Sequence, residues 1–167
     1  DMIIPTSMEI TLPEKYKGST NSADQKKAID YMYSLMSNSV NKVDVYTTLM
    51  AHKDEYIYFR TDHHWTSLGA YYAYRDLMTA TCKTPAELSD FTEYKFEGFL
   101  GSFYAESGKK PSLGNTPDYV MAYEPKQLQK IEDDLMSIFR GLMCGNINYT
   151  LSRLHSVMGA DICTLFD

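Results

Sequence analysis

The stretch from Tyr56 to Met78 constrains the fold of this chain more than any other. Tyr56-Ile57-Tyr58-Phe59 runs into Arg60-Thr61-Asp62-His63-His64-Trp65-Thr66-Ser67, and Leu68, Tyr71, Tyr72, Arg75 and Met78 then recur at helical spacing. Aromatic and β-branched residues at its start favour a strand, and the periodic residues favour a helix begun near Thr66 or Ser67. Strand, polar turn, helix is the order in which α/β proteins expose functional groups at the carboxyl end of a strand. The polar turn here holds an acid, two imidazoles and the chain's only tryptophan.

One residue separates Asp62 from His64, so in an extended segment their side chains leave from the same face. An aspartate so placed can fix the histidine tautomer and leave the other ring nitrogen as a general base; it can equally form a structural hydrogen bond that caps the turn into the helix. His63 points to the opposite face in the same geometry, toward packing or substrate. Carboxylate and imidazoles together also suit zinc or iron. Adjacent histidines diverge from an extended strand, however, and only His52 and His155 remain elsewhere. Neither a metal nor another cofactor is therefore expected. Arg60 can bind an anionic substrate or pair with a carboxylate, and Trp65 can seat the junction or stack on a sugar.

Around this segment the pattern alternates in the α/β manner. Short strands are expected at Met2–Ile4, Val43–Tyr46, Tyr56–Phe59, Phe91–Phe99 and Asp118–Tyr123. A helix is expected after the capping-box spacing Ser22-Ala23-Asp24-Gln25, with Ala28, Ile29, Met32, Leu35, Met36 and Val40 on its apolar face. A helical turn is expected at Thr48–Lys53, a short helix after Thr84-Pro85, and the longest loop at 105–117. From Lys126 a clean amphipathic helix carries Leu128, Ile131, Leu135, Ile138, Phe139 and Leu142.

Length and composition narrow the classes. A chain of 167 residues with 44% hydrophobic and 23% charged residues can build one ordinary core. A formal charge of -6 without a basic cluster argues against nucleic-acid binding. No stretch reaches the roughly 20 apolar residues that span a bilayer. Cys82, Cys144 and Cys163 make neither a Cys-x-x-Cys nor an even set, which favours free thiols. The start at Asp1-Met2-Ile3-Ile4-Pro5 reads as the inside of a longer protein.

Residues 58–74, Tyr-Phe-Arg-Thr-Asp-His-His-Trp-Thr-Ser-Leu-Gly-Ala-Tyr-Tyr-Ala-Tyr, resemble the bacterial DHHW proteins, which look related to the alginate O-acetyltransferase-like branch of the SGNH hydrolase superfamily. Ile3-Ile4-Pro5-Thr6, the Phe-Leu-Gly-Ser-Phe-Tyr of residues 99–104, and Pro117-Asp118 leading to Ala122-Tyr123 extend the likeness over residues 1–125, and 126–167 diverge. The resemblance implies a three-layer α/β/α domain, incomplete here; the divergent helical and mixed tail is expected to pack on the same domain. It implies Asp62 as orienting acid, His64 as general base, and a nucleophilic serine in a later Asp-Ser segment. This chain has no Asp-Ser and no Gly-x-Ser-x-Gly. Ser102, the best of its hydroxyls, is expected to be a turn serine, because no helix start is evident after it to supply oxyanion amides.

The expected function is thus part of an acyl-transfer enzyme, an O-acetyltransferase or acetylesterase. By family resemblance it acts on a cell-envelope or extracellular polysaccharide outside the cytoplasm, with Asp62 and His64 catalytic and His63, Arg60 and Trp65 toward substrate. Alone, the chain is expected to be inactive. The alternative is a non-catalytic surface domain whose tyrosine-rich groove binds glycan or a partner protein.

Overall fold

Apolar side chains from two helices and the segment joining them make the core, in a computed structural model that describes residues 1–20 and 22–126. Asp44 opens the first of these helices, its carboxylate accepting from Thr47 N–H at 3.1 Å and Thr47 Oγ1 at 2.7 Å. Thr66 opens the second, accepting from Gly69 N–H and donating to Tyr56 O at 2.7 Å. In chain order the helices are α1 (Ser7–Ile10), α2 (Glu14–Lys17), α3 (Gln25–Leu35), α4 (Val45–Ala51), α5 (Ser67–Ala80), α6 (Ser102–Glu106) and α7 (Pro111–Gly114). The strands β1 (Phe91–Phe99) and β2 (Asp118–Pro125) pair in a two-stranded sheet, and a 3-10 turn spans Leu88–Asp90.

The chain divides into two compact units, Asp1–Glu87 with Glu93–Ala122 and Leu88–Thr92 with Tyr123–Asp167. In the first, α4 packs on α5, and Val43, Val45, Leu49, Ile57, Tyr58 and Ala73 join Ile10 in one buried cluster. Met2, Ile4, Trp65, Leu68 and Tyr72 pack around it, half-buried. Beyond the end of α4, the His52 ring stacks on Tyr72 at 3.8 Å while Glu55 accepts from the Tyr72 hydroxyl at 2.7 Å. In the second unit, Phe91 meets Tyr123 edge-on and Lys126 Nζ donates to Ser89 O at 2.7 Å.

The mixed α/β character is as expected; among the described residues the sheet has two strands. The strands expected at Met2–Ile4 and Val43–Tyr46 reduce to one parallel bridge, Met2 with Val43. The Asp44 cap turns the chain into α4 immediately after it, which ends any extension. Tyr56–Phe59 likewise forms a single antiparallel bridge, Tyr58 with Trp65. α3 starts at Gln25 because Asp24, rather than Ser22, caps it by accepting from Lys27 N–H at 3.0 Å. It stops at Leu35, before Val40. Its anchored residues are Ile29 and Tyr33, whose hydroxyl donates to Val43 O at 2.9 Å, while Leu35 is 70% exposed.

Thr84-Pro85 starts no helix; the 3-10 turn follows at Leu88. The loop expected at 105–117 is interrupted by α7, which has Pro111 at its first position. The expected β1 matches in its bounds, and β2 runs two residues further than expected. Beyond Lys126, the amphipathic helix and the other expectations for the tail lie outside the described residues. Among the described residues no helix is long and apolar enough to cross a membrane.

Leu49 is fully buried in the central cluster. Leu49→Ala is expected to cost about 2–5 kcal/mol in denaturant unfolding. The exposed Leu35, changed to alanine, should stay within about 0.5 kcal/mol of the parent.

Candidate active site

The Asp-His-His-Trp segment is the tip of a short hairpin. Thr66 N–H donates to Ile57 O at 2.9 Å and Phe59 N–H to His64 O at 3.2 Å, closing residues 57–66 on themselves. The first turn of α5 lies against the base of this hairpin. A Cβ on Gly69 would sit 2.4 Å from Ile57 O, so the approach requires glycine there.

Asp118 at the start of β2 holds one leg of the hairpin. Its carboxylate is fully buried and accepts from Thr61 N–H at 2.7 Å, Thr61 Oγ1 at 2.6 Å and Arg60 N–H at 3.0 Å. It also accepts from Arg60 Nε at 2.9 Å and the Tyr56 hydroxyl at 2.6 Å. Burial by itself would raise the Asp118 pKa, but the Thr61 and Tyr56 hydroxyls and the Arg60 guanidinium outweigh it and hold the carboxyl below its ordinary value. The same burial, with the Asp118 charge, pushes the Tyr56 phenol well up.

Thr61 passes the restraint on. Its Oγ1 accepts from Gly101 N–H at 3.1 Å and its carbonyl from Tyr104 N–H at 3.3 Å, which seats α6 beside the hairpin. A Cβ on Gly101 would stand 2.3 Å from Asp62 Cβ. Only glycine permits that spacing.

Asp62 is buried between hairpin and helix. Its Oδ1 accepts from His64 N–H at 2.9 Å and faces His64 Nδ1 at 2.6 Å, while Oδ2 accepts from Ser102 N–H at 2.8 Å. The bond to the N–H two residues on is an Asx turn. Burial again favours the neutral acid, and the bonds from Ser102 and His64 reverse it, holding Asp62 well below the usual carboxylate range. The expected Asp62–His64 pairing is present, built by a turn rather than by an extended strand.

His63 departs from its expected direction. Because the segment bends, its ring lies on the same side as His64, with centroids 3.9 Å apart, and its Nδ1 is 2.7 Å from Ser102 Oγ. Ser102 is also more than a turn serine, since α6 begins at it; the helix start that its surroundings did not announce is there. Arg60 pairs with the buried Asp118 and donates through Nη2 to Pro117 O at 3.1 Å. Trp65 packs on the core cluster. The Asp118–Thr61–Gly101 restraint was not foreseen as part of the site. The Gly-Ser and Pro-Asp pairs that carried part of the family likeness were its available signal.

Fold and site together define a mixed α/β protein that presents an Asp–His couple on a short hairpin. The chain belongs to the DHHW protein family, whose model matches residues 1–137. A crystal structure of a DHHW family protein from Eubacterium siraeum superimposes with a TM-score of 0.68 at 37% identity, over 74% of this chain and 40% of that one. Bacillus cereus PatB1 is similar in fold, with a TM-score of 0.56 at 19% identity, over 75% of this chain and 44% of that one. The chain thus spans less than half the length of either structure. No curated protein matches it.

Removing the Asp118 carboxylate orphans several buried donors, so Asp118→Ala is expected to cost about 3–5 kcal/mol in chemical unfolding. Gly101→Ala, which must push Asp62 aside, should cost about 1–3 kcal/mol. Both folded carboxyls titrate below the ordinary 3.8, so near that pH the unfolded chain binds more protons and stability rises with pH. Their contribution is complete above about pH 5 and is lost as pH falls through the lower folded values. Stability measured against pH should therefore fall steeply in acid for the parent and less steeply for Asp118→Ala.

Proposed function

We propose that the chain supplies the acid and base of an SGNH-like acyl-transfer site that adds or removes an acetyl ester on a cell-envelope or extracellular polysaccharide. The observation that carries this reading is the double contact of Asp62 Oδ1 with His64, at the N–H and at Nδ1. A carboxylate only accepts, so a neutral ring facing it carries its proton on Nδ1 and keeps the Nε2 lone pair for a hydroxyl. The His64 side chain is 65% exposed, which leaves room for one to approach.

In this reading a serine hydroxyl attacks the ester carbonyl while His64 Nε2 takes its proton. Asp62 stabilises the imidazolium, which returns the proton to the departing alkoxide. Water or a sugar hydroxyl then attacks the acyl-serine by the same route in reverse. In this reading the serine is supplied by a part of the full-length protein that this chain does not span, within a three-layer α/β/α domain to which residues 1–125 contribute. His63 and Arg60 lie toward the substrate, and Trp65, whose ring seats the hairpin, borders it.

The test is acetyl-ester turnover by the full-length protein. His64→Ala and Asp62→Asn are each expected to lower it by about 10²- to 10⁴-fold, and Ser102→Ala by less than about tenfold. Turnover unchanged in His64→Ala contradicts the assignment. Glycan binding without turnover, undisturbed by Asp62→Asn, is the result that favours a non-catalytic surface domain.

A further inference from the structure

The bend that brings the two histidines together removes the geometric reason for expecting no metal here. In an extended strand the rings would diverge; in the hairpin tip Asp62, His63 and His64 each offer a donor atom, all within 4.8 Å of one another. We propose that these three residues bind one divalent transition-metal ion of the zinc type. The site goes beyond the acyl-transfer reading and does not depend on it.

The donor set is two imidazole nitrogens and one carboxylate oxygen, a combination that suits zinc, with a fourth position left for solvent. Zinc bonds of about 2.0–2.1 Å in a tetrahedron put neighbouring ligand atoms about 3.3 Å apart. The present separations bracket that edge: Asp62 Oδ1 is 2.6 Å from His64 Nδ1 and 3.8 Å from His63 Nδ1. Small rotations of the two rings bring both to it. The His63 and His64 side chains are 58% and 65% exposed, which leaves room for these rotations once His63 gives up its contact with Ser102 Oγ. Asp62, by contrast, is held in place by Ser102 N–H and His64 N–H. The site therefore has one rigid ligand and two that swing.

Metal binding has a consequence for the Asp62–His64 couple. An ion on Nδ1 of His64 takes the lone pair of that nitrogen, and the ring proton resides on Nε2 instead. A ring in that tautomer has no free lone pair with which to accept a proton from a hydroxyl. Under the acyl-transfer reading, zinc and general-base function would thus be mutually exclusive at His64, and the metal form would be an inhibited one; the binding itself does not depend on that reading. His63 is the residue that separates the two roles, because the ion needs it and the Asp62–His64 bond does not. Ser102 Oγ competes with the metal for His63 Nδ1, from which it lies 2.7 Å.

The experiment is calorimetric titration of the full-length protein with zinc chloride in a non-chelating buffer, with circular dichroism melts of every variant. One ion per chain is expected at micromolar affinity or tighter. His63→Ala and, as a second variant, His63→Gln should each weaken binding at least about tenfold, and Ser102→Ala should leave it unchanged or tighter. The exposed Cys82 lies outside the site, and Cys82→Ser should bind as the parent does. Absence of binding, or equal binding by the parent and both His63 variants, overturns the proposal. The readout is heat of binding rather than turnover, so this result and the outcome for acyl transfer are independent.

Discussion

A buried carboxylate with five hydrogen bonds is the constraint on which the site depends. Asp118 sits at the beginning of β2 and collects two backbone N–H groups, two hydroxyls and a guanidinium from Tyr56, Arg60 and Thr61. Charge-assisted bonds of this kind are stronger than neutral ones, and their number offsets the cost of burying the charge. Because three of the donors belong to Thr61 or to the backbone beside it, the hairpin leg is fixed in position as well as stabilised. Asp62 follows directly, so its carboxylate inherits that position.

From there the order passes through short contacts. Thr61 receives the Gly101 and Tyr104 amides, Gly101 lets α6 close on Asp62, and the first amide of α6 fills Oδ2. Oδ1 is left for His64. The couple is held from β2 on one side and α6 on the other, which is how a histidine with an exposed ring can still meet a carboxylate in a defined way. The bend that achieves this also places His63 beside His64 and beside Ser102, so the Asp62–Trp65 segment presents two histidines in different surroundings.

Much of the local structure was legible in the residues. Thr66 followed by Leu68, Tyr71, Tyr72 and Arg75 announced α5, because a cap and a periodic apolar face are both local signals. The alternation of Phe91 to Phe99 announced β1 for the same reason. The runs at Met2–Ile4, Val43–Tyr46 and Tyr56–Phe59 misled because β-branched and aromatic residues report half-burial, not the number of rungs a partner offers. The Asp62–His64 contact followed from spacing, yet the Asx turn that makes it did not. Asp118 could not be read as a hub, since its partners lie 57 to 62 residues away in sequence. A separation of 40 residues likewise hid the helix start at Ser102 beside Asp62.

Asp118, acting through Thr61 and Asp62, is expected to fix the tautomer of His64. Long-range nitrogen–proton correlation spectra of the imidazoles read that tautomer directly. His64 is expected to show its proton on Nδ1 in the parent and to lose that preference in Asp118→Ala where the chain remains folded. A His64 ring protonated on Nε2 in the metal-free parent, or one whose tautomer is the same with and without Asp118, would contradict it.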